Sequence, residues 1–482
     1  MLPLYLFIGG SSFMRLKTFK RGIHPHDGKN LSSGSPIRPI SAAEEMVYPL
    51  AQHIGAPAVP IVKAGDEVLA GQKIAEANGY VSVPIYSAVS GKVKTVGLHA
   101  TATGDLQPCI VIQNDGLGQW QEPAYDPTCA EYQTEDFVKK TMESHHVQAL
   151  TPESIRKAIG EAGIVGMGGA GFPAVIKLTP KDDTKIEYLI INGAECEPYL
   201  TSDDRLMQES GDVLLAGCHL LLKLFPNAVC MVGVENNKKI AIRGLTEKAK
   251  AYDRIKICPL KTKYPQGGER MLISALTGRK LNSSRLPADV GCVVVNVATV
   301  ISAFYAVTLG RPLTHRVMTI TGDAVAHPCN LLVPIGMSLA DVLVAAGGFV
   351  EGVIPQKLIN GGPMMGTALF SLDVPVTKTS ASLLALSEDP VALHDTTACI
   401  RCGKCVSVCP EKLVPQLLSE AADREDFEAF EKYGGMECIE CGSCAYVCPA
   451  KRHLVQSMRY GRRMTSSNIK ARQNSAKGGS ST

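Results

Sequence analysis

Eight of the sixteen cysteines fall into two arrays of identical spacing. The first is Cys399-Ile-Arg-Cys402-Gly-Lys-Cys405-Val-Ser-Val-Cys409-Pro410, and the second is Cys438-Ile-Glu-Cys441-Gly-Ser-Cys444-Ala-Tyr-Val-Cys448-Pro449. Each reads C-x2-C-x2-C-x3-C-P, the run that binds paired [4Fe–4S] clusters. Three closely spaced thiolates wrap a short turn around three corners of a cubane. The fourth lies a helical turn further on and reaches the neighbouring cluster, while the proline ends the loop. One cluster is therefore expected on Cys399, Cys402, Cys405 and Cys448, the other on Cys438, Cys441, Cys444 and Cys409. Zinc is the competing chemistry, but zinc modules use two thiolate pairs with a longer separation. The remaining eight cysteines show no ligand spacing and read as buried thiols.

The elements that must hold these arrays occupy a chain of 482 residues, 45% hydrophobic and 20% charged. That is enough for roughly three to five compact units. Forty-five glycines and 29 prolines favour turns and small β-modules over a helical bundle. Net charge is +3, yet the stretch from Lys451 to Thr482 carries Lys and Arg with no Asp or Glu, which leaves a mildly acidic body. With a single Trp, this composition argues against a nucleic-acid partner. The length argues against a secreted disulfide scaffold. The apolar start lacks the basic flank of an export signal, and Met14 reads as an alternative start. The uncharged stretch between Asp289 and Arg311 approaches the length of a membrane span. Its strand-like Gly291–Asn296 and helix-like Ala298–Leu309 halves, with polar Asn296, Thr299 and Ser302, read instead as a buried βα unit.

Upstream, residues 57–96 alternate short β runs with Gly-Asp and Ser-Gly turns, similar to the barrel-sandwich hybrid of lipoyl and biotinyl domains. The hairpin tip, Tyr80-Val-Ser-Val83, lacks the cofactor lysine of those domains, so a structural or docking role is expected. From about 150 to 310, helix and strand alternate as in a parallel α/β sheet. Strands are expected at 187–192, 228–235, 254–260 and 291–297. Residues 311–370 look like a β-grasp module of the soluble-ligand-binding type, and the segment 415–433 reads as two short helices between the arrays. The basic end divides into 451–463, a candidate for docking to anionic lipid or acidic partners, and 465–482, expected to be disordered.

Two loops in the α/β part carry further chemistry. Gly166-Met-Gly168-Gly169-Ala-Gly171-Phe172-Pro173 fits G-x-G-x-x-G, but a helix rather than a strand precedes it, so an ordinary dinucleotide fingerprint does not apply. A glycine run of this kind still lets backbone approach a flat ligand or phosphate, the plainer alternative being a tight interdomain turn. The strand at 188–192 then ends in Asn192-Gly-Ala-Glu195-Cys-Glu197-Pro198, at the carboxyl end of a parallel strand where ligands gather. Singly, each glutamate reads as a solvated loop acid. His24-Pro-His26 reads as structural rather than metal-binding.

Together with Tyr264-Pro-Gln-Gly267-Gly268-Glu269, these two loops resemble the NADH-oxidising flavoprotein subunit of respiratory complex I. With Phe19-Lys-Arg-Gly-Ile-His-Pro-His-Asp-Gly-Lys29 and the doubled array, residues 14 to 460 are similar to the C-subunit family of Rnf (Rsx) electron-transport complexes. The resemblance implies FMN and NAD(H) in one cleft beside two [4Fe–4S] clusters. It places Gly166, Gly168, Gly169, Gly171 and Lys177 on the FMN face and phosphate, and Asn192 and Glu195 on the flavin. Tyr264, Gly267, Gly268, Asn296 and Thr299 complete that site, with Phe172 stacking on the NADH side and Glu197 on its ribose. Ala194 and Gly268 depart from the complex I pattern, which carries acids there. It implies hydride transfer from NADH to FMN and single-electron passage through the clusters. The chain would be a peripheral subunit on the cytoplasmic side of a bacterial inner membrane. Its partners would be the integral and peripheral subunits of the complex, and indirectly ferredoxin or flavodoxin. A non-catalytic iron–sulfur relay with a vestigial nucleotide cleft is the alternative.

The expected fold class is multidomain α/β and α+β. It comprises an N-terminal extension (1–30), a lipoyl-like barrel-sandwich domain (31–130), a parallel α/β FMN/NADH domain (131–312), a β-grasp domain (313–375), a helical two-cluster ferredoxin domain (376–460) and a basic flexible tail (461–482).

Overall fold

A computed structural model describes residues 5–6, 14–122, 126–389 and 391–478 of the chain. Most of the proposed dispensable start, residues 1–13, and the last four residues lie outside the described residues.

Two small antiparallel sheets form the first β-module. One runs in the order Glu45–Pro49, Leu106–Asn114, Gly91–Ala100, Glu67–Val68, and the other Val59–Pro60, Lys73–Glu76, Ile85–Tyr86. Alternation along Leu106–Asn114 sends Ile110 and Ile112 into the main core with Tyr48 and Ile74, while Cys109 and Val111 pack on Val47 from the other face. The module's tip leaves Tyr80 77% exposed.

The central sheet is wholly parallel, in the order Ile255–Leu260, Val229–Glu235, Tyr188–Gly193, Cys292–Asn296. Its strands are continuous apolar runs because helices cover both faces. Helix Val297–Leu309 begins where Asn296 Oδ1 accepts the Ala298 amide at 2.9 Å. This helix is buried in the shared core, which accounts for the uncharged stretch. Among the described residues no helix is long and apolar enough to cross a membrane.

The third sheet has six strands, in the order Thr367–Ala368, Lys357–Asn360, Ser382–Leu386, His315–Thr321, Cys329–Pro334, Ile37–Pro39. It overruns the expected 313–375 boundary at both edges. Ile37–Pro39, expected in the first β-module, pairs in parallel with Asn330–Leu332, and Ser382–Leu386, expected in the cluster domain, pairs with Thr319–Thr321. Lys378 explains why the chain stays here. It is fully buried and donates to Pro84 O (2.7 Å) and Gly163 O (2.8 Å), tying three modules together. A single core runs through all three.

The N-terminal extension is likewise built in. Ile23 and Tyr264 exchange backbone hydrogen bonds of 2.9 Å, and the Lys17 amide donates to Pro259 O at 3.2 Å. The cysteine arrays fold separately around Leu418, Ala422, Phe430 and Met458. The expected flexible tail is instead most of one helix, Leu454–Gly478. Leu454, Met458, Gly461 and Thr465 form its buried stripe, at the spacing of one helix face. Its basic residues are partly used inside the domain. Arg459 and Arg462 pair with Glu440, Arg452 with Asp423, and Arg472 with Glu431. The charge available for lipid is smaller than composition implies.

Candidate functional site

The glycine loop links helix Pro152–Glu161 to helix Ala174–Lys177 and closes on itself, the Gly166 amide donating to Phe172 O at 2.8 Å. Thr299 fixes its inner side, its hydroxyl accepting the Met167 amide at 2.9 Å and donating to Val165 O. Gly168, Gly169 and Ala170 face outward. A Cβ on Gly168 would lie 2.8 Å from Asn296 Nδ2, whereas one on Gly169 would meet nothing within 4 Å. Gly171, at φ +71°, packs its backbone against Gln52 and His53 of the first β-module, and half-buried Phe172 follows. The loop is thus an open glycine cradle with a rigid back.

The acidic loop sits across from it. Asn192 Nδ2 donates to Gly267 O at 2.8 Å and its Oδ1 accepts the Ala194 amide, locking the strand end to the Tyr264–Gly268 turn. The Gly267 amide donates to Cys196 Sγ at 3.2 Å. Lys177 reaches Glu269 at 2.7 Å, beside Gly268 at the start of helix Glu269–Thr277. Tyr264 OH and Gln266 Nε2 are buried without a hydrogen-bond partner among the described residues. Open glycines, a lysine at the rim and orphaned polar atoms behind it suit a flat, phosphorylated ring such as FMN.

The two glutamates are less available than a loop location implies. Glu195, at φ +46°, accepts the Asp203 amide at 2.6 Å and the Asp204 amide at 3.3 Å, so it caps helix Ser202–Glu209. Burial raises it to about 7, opposed by Lys29 at 3.9 Å and by Lys238. Burial in turn lowers Lys29. Glu197 turns toward the third sheet and accepts the Met364 and Met365 amides at 3.2 and 2.8 Å; burial raises it too to about 7. Neither carboxylate has the solvated setting of an isolated loop acid.

Lys29, Lys238 and Asp203 were not among the expected site residues. Lys29 ends the N-terminal signature and donates to Glu197 O and Leu200 O. Lys238 donates to Ala194 O at 2.8 Å, and Asp203 accepts from Asn296 Nδ2 at 2.7 Å. Spacing offers no cue for Lys238 or Asp203; the signature at least ended on Lys29.

The two cysteine arrays have matching backbones. Arg401 and Glu440 both adopt left-handed φ (55° and 56°), as do Gly403 and Gly442, and Lys412 and Lys451. The amides of Arg401 and Glu440 donate to Cys399 Sγ and Cys438 Sγ, each at 3.4 Å. Cys409, Cys438, Cys441 and Cys444 line one apolar cavity, although Cys409 belongs to the first array. Burial raises Cys444, and Cys441, Cys438 and Cys409 add to the effect. Cys405 is raised by burial and then by Cys448 and Cys399. The structure thus brings Cys409 of the first array to the second, and Cys448 of the second near Cys405 of the first. Four thiols around a cavity with N–H donors to sulfur fit a cubane.

The Cys441 group is also the one nearer the cleft. Cys441 packs with Tyr264 and Ile23, and Ile439 approaches Gly268. Arg270 joins Glu437 (2.8 Å) and Glu411 (3.4 Å) across the same boundary. Cys399 and Cys402 are exposed on the outside.

Four family models match this chain. They are a Nuo51 FMN-binding domain at residues 159–304, an RnfC barrel sandwich hybrid domain at 17–117, a 4Fe-4S dicluster domain at 392–449 and an SLBB domain at 317–368. The C subunit of the proton-translocating ferredoxin:NAD(+) oxidoreductase complex of Clostridium ljungdahlii is 44% identical over 92% of this chain and 93% of its own. The C subunit of the Na(+)-translocating ferredoxin:NAD(+) oxidoreductase complex of Acetobacterium woodii is 41% identical over 92% of this chain and 96% of its own. The C subunit of the ion-translocating oxidoreductase complex of Rhodobacter capsulatus is 40% identical over 93% and 83%.

Proposed function

The chain belongs to the C-subunit family of ion-translocating ferredoxin:NAD(+) oxidoreductase complexes, and from that premise we propose that it is their nicotinamide-facing electron-transfer arm. It would hold FMN and two [4Fe–4S] clusters and sit on the cytoplasmic side of the membrane, next to integral subunits that carry the ion. Bound flavin exchanges an electron pair with a nicotinamide, whereas cubane clusters carry electrons singly.

What the chain's own residues do follows from their placement. Gly168 and Gly169 leave room for a ring to lie against backbone, and Asn296 and Thr299 stiffen the loop from behind. Lys177 offers a cation for the phosphate, with Glu269 as its present partner. Asn192 is held by Gly267, so its edge toward the cleft is fixed. Glu195 and Glu197 act through position: they hold the acidic loop against Asp203 and Met365, and direct contact with nucleotide would require them to release those amides. Tyr264 fills the space between the acidic loop and Cys441 and keeps water out.

The observation that carries the reading is that contact between Tyr264 and Cys441, which joins cleft and cysteine centres without an intervening domain. It supports an inner role for the Cys409, Cys438, Cys441 and Cys444 set and an outer, partner-facing role for Cys399, Cys402, Cys405 and Cys448. The test is anaerobic. Holo-protein is titrated with NADH while flavin absorbance and the reduced-cluster EPR signal are followed together, and both must change. The engagement of Glu195 and Glu197 favours a second reading, a relay whose nucleotide cleft is vestigial. Clusters that reduce with dithionite but never with NADH would select it.

A further inference from the structure

We propose that a second cleft, behind the glycine loop and between helix Val297–Leu309 and strand His315–Thr321, binds a carboxylate that carries an apolar body. The helix turns Ala298, Ile301, Ser302 and Tyr305 toward it, one face over two turns. The strand contributes His315, Arg316 and Val317, and the linker at 127–133 covers it from outside. Ile37, Ile164, Leu206 and Leu332 make its walls greasy.

The charged side chains that line this cleft are cationic. Arg311 and Arg316 line it, and among the described residues no Asp or Glu does. Among the described residues neither guanidinium forms an ion pair. Arg311 lies over the Tyr305 ring, 5.1 Å from its centroid. Asp126, the carboxylate that faces it, is tied to Thr128 by bonds of 2.8 and 2.7 Å. Arg316 donates to Lys378 O and to Met167 O (3.3 Å), which leaves its Nε buried with no partner among the described residues. Its facing carboxylate, Asp203, is held by Asn296. Burial lowers both guanidinium groups to about 10, and lowers His315 to about 3, so His315 adds no charge. Asp126 and Asp203 offset these charges from a distance, forming no ion pair with either guanidinium among the described residues, and a planar carboxylate seated on a guanidinium edge would meet the donor they leave open. The apolar walls select against bare phosphate or sulfate, which would have to shed water with nothing gained from its body.

Met167 is the wall shared with the flavin cleft. Its amide is fixed by Thr299, its carbonyl by Arg316, and its Sδ accepts from Ser302 at 3.5 Å. An anion on Arg316 would therefore act one residue from Gly166 and Gly168, on the back of the loop. The site gives the protein a place where a carboxylate metabolite can stiffen the flavin cradle without entering it.

The test uses the full chain with its clusters, hexanoate as probe and hexan-1-ol as its neutral counterpart, read by titration calorimetry and by the shift in melting temperature. Saturable hexanoate binding at submillimolar to millimolar concentration is expected, with the alcohol weaker by about tenfold or more. Arg311→Gln should weaken hexanoate by a similar factor, and Ser302→Leu, which fills the cleft without touching a cation, should abolish binding. Saturating FMN should leave hexanoate binding in place. Equal binding of acid and alcohol, or binding insensitive to both variants, overturns the proposal. So does displacement by FMN, which would put the anion in the flavin cleft, or an absence of saturable binding.

Discussion

Gly168 and Gly169 are neighbours with opposite surroundings, and replacing each by alanine separates fold from ligand. At Gly169 a methyl meets nothing within 4 Å, and the backbone is not left-handed. Gly169→Ala should therefore leave the apo-protein as stable as before, or raise stability by about 0.4–1 kcal/mol through a less free unfolded chain. At Gly168 the methyl lands 2.8 Å from Asn296 Nδ2 and 3.0 Å from its Cβ and Cγ. Asn296 is pinned by Asp203 on one side and the Ala298 amide on the other, so it cannot swing away freely. Losing the cap costs about 1 kcal/mol. Leaving Asp203 without its donor costs about 1–3 kcal/mol more. Gly168→Ala should thus destabilise the apo-protein by about 2–4 kcal/mol. If a ring rests on this loop, Gly169→Ala intrudes on it, and an overpacked contact of about 1–3 kcal/mol weakens FMN by about 5- to 150-fold. Urea melts of apo-protein and quenching of FMN fluorescence give the two quantities. Gly169→Ala with unchanged FMN affinity would refute the cradle, however well the stability figures agreed.

The crossed thiol sets give a sharper test than a simple iron count. Cys409→Ser should leave about four irons and remove the centre on Cys438, Cys441 and Cys444, abolishing NADH-dependent cluster reduction; Cys448→Ser should remove the outer centre and keep flavin-linked reduction of the inner one. Each is read by iron analysis and EPR. Glu195 should make stability pH-dependent in an unusual direction. Its folded pKa of about 7 lies above the ordinary 4.5, so the folded state is favoured by the protonated form and loses stability as pH rises from about 4.5 to 7. Its share of the loss is at most about 3 kcal/mol, and Glu195→Gln should remove that share in urea melts across that range while Glu197, raised to about 7 as well, keeps its own. Met458→Ala should cost about 2–5 kcal/mol of cluster-domain stability, seen as earlier loss of cluster absorbance on heating, because Met458 is 1% exposed against the small core around Phe430.

How much of this was legible in the sequence depended on how far apart the cooperating residues lie. The cysteine arrays were readable because the four cysteines of each lie within a dozen residues, so their spacing alone marks them. The parallel strands fell within a residue or two of their expected places, since strands buried on both faces must be apolar throughout. The pairing of Lys29 with Glu195 and the joining of Ile37–Pro39 to Asn330–Leu332 were not readable, because nothing near either partner signals the other. The third-sheet boundary failed for the same reason, Lys378 being a charged residue whose burial only the folded arrangement of Pro84 and Gly163 explains. The tail failed differently. The Ser, Gly and Lys content of 465–482 pointed to disorder, while the buried stripe is Leu454, Met458, Gly461 and Thr465, mostly upstream of that segment. Yet a Cβ on Gly461 would come within 2.5 Å of the Phe430 ring. That glycine, which alone weakens a helix by about 1 kcal/mol, is the notch into which the ring fits, and the ring in turn holds the helix. Gly435 lies on the other side of Phe430, where an added Cβ would stand 2.2 Å from the same ring. A residue that reads as a breaker in isolation is here the condition for packing, so the helix is shaped to the cluster domain it covers.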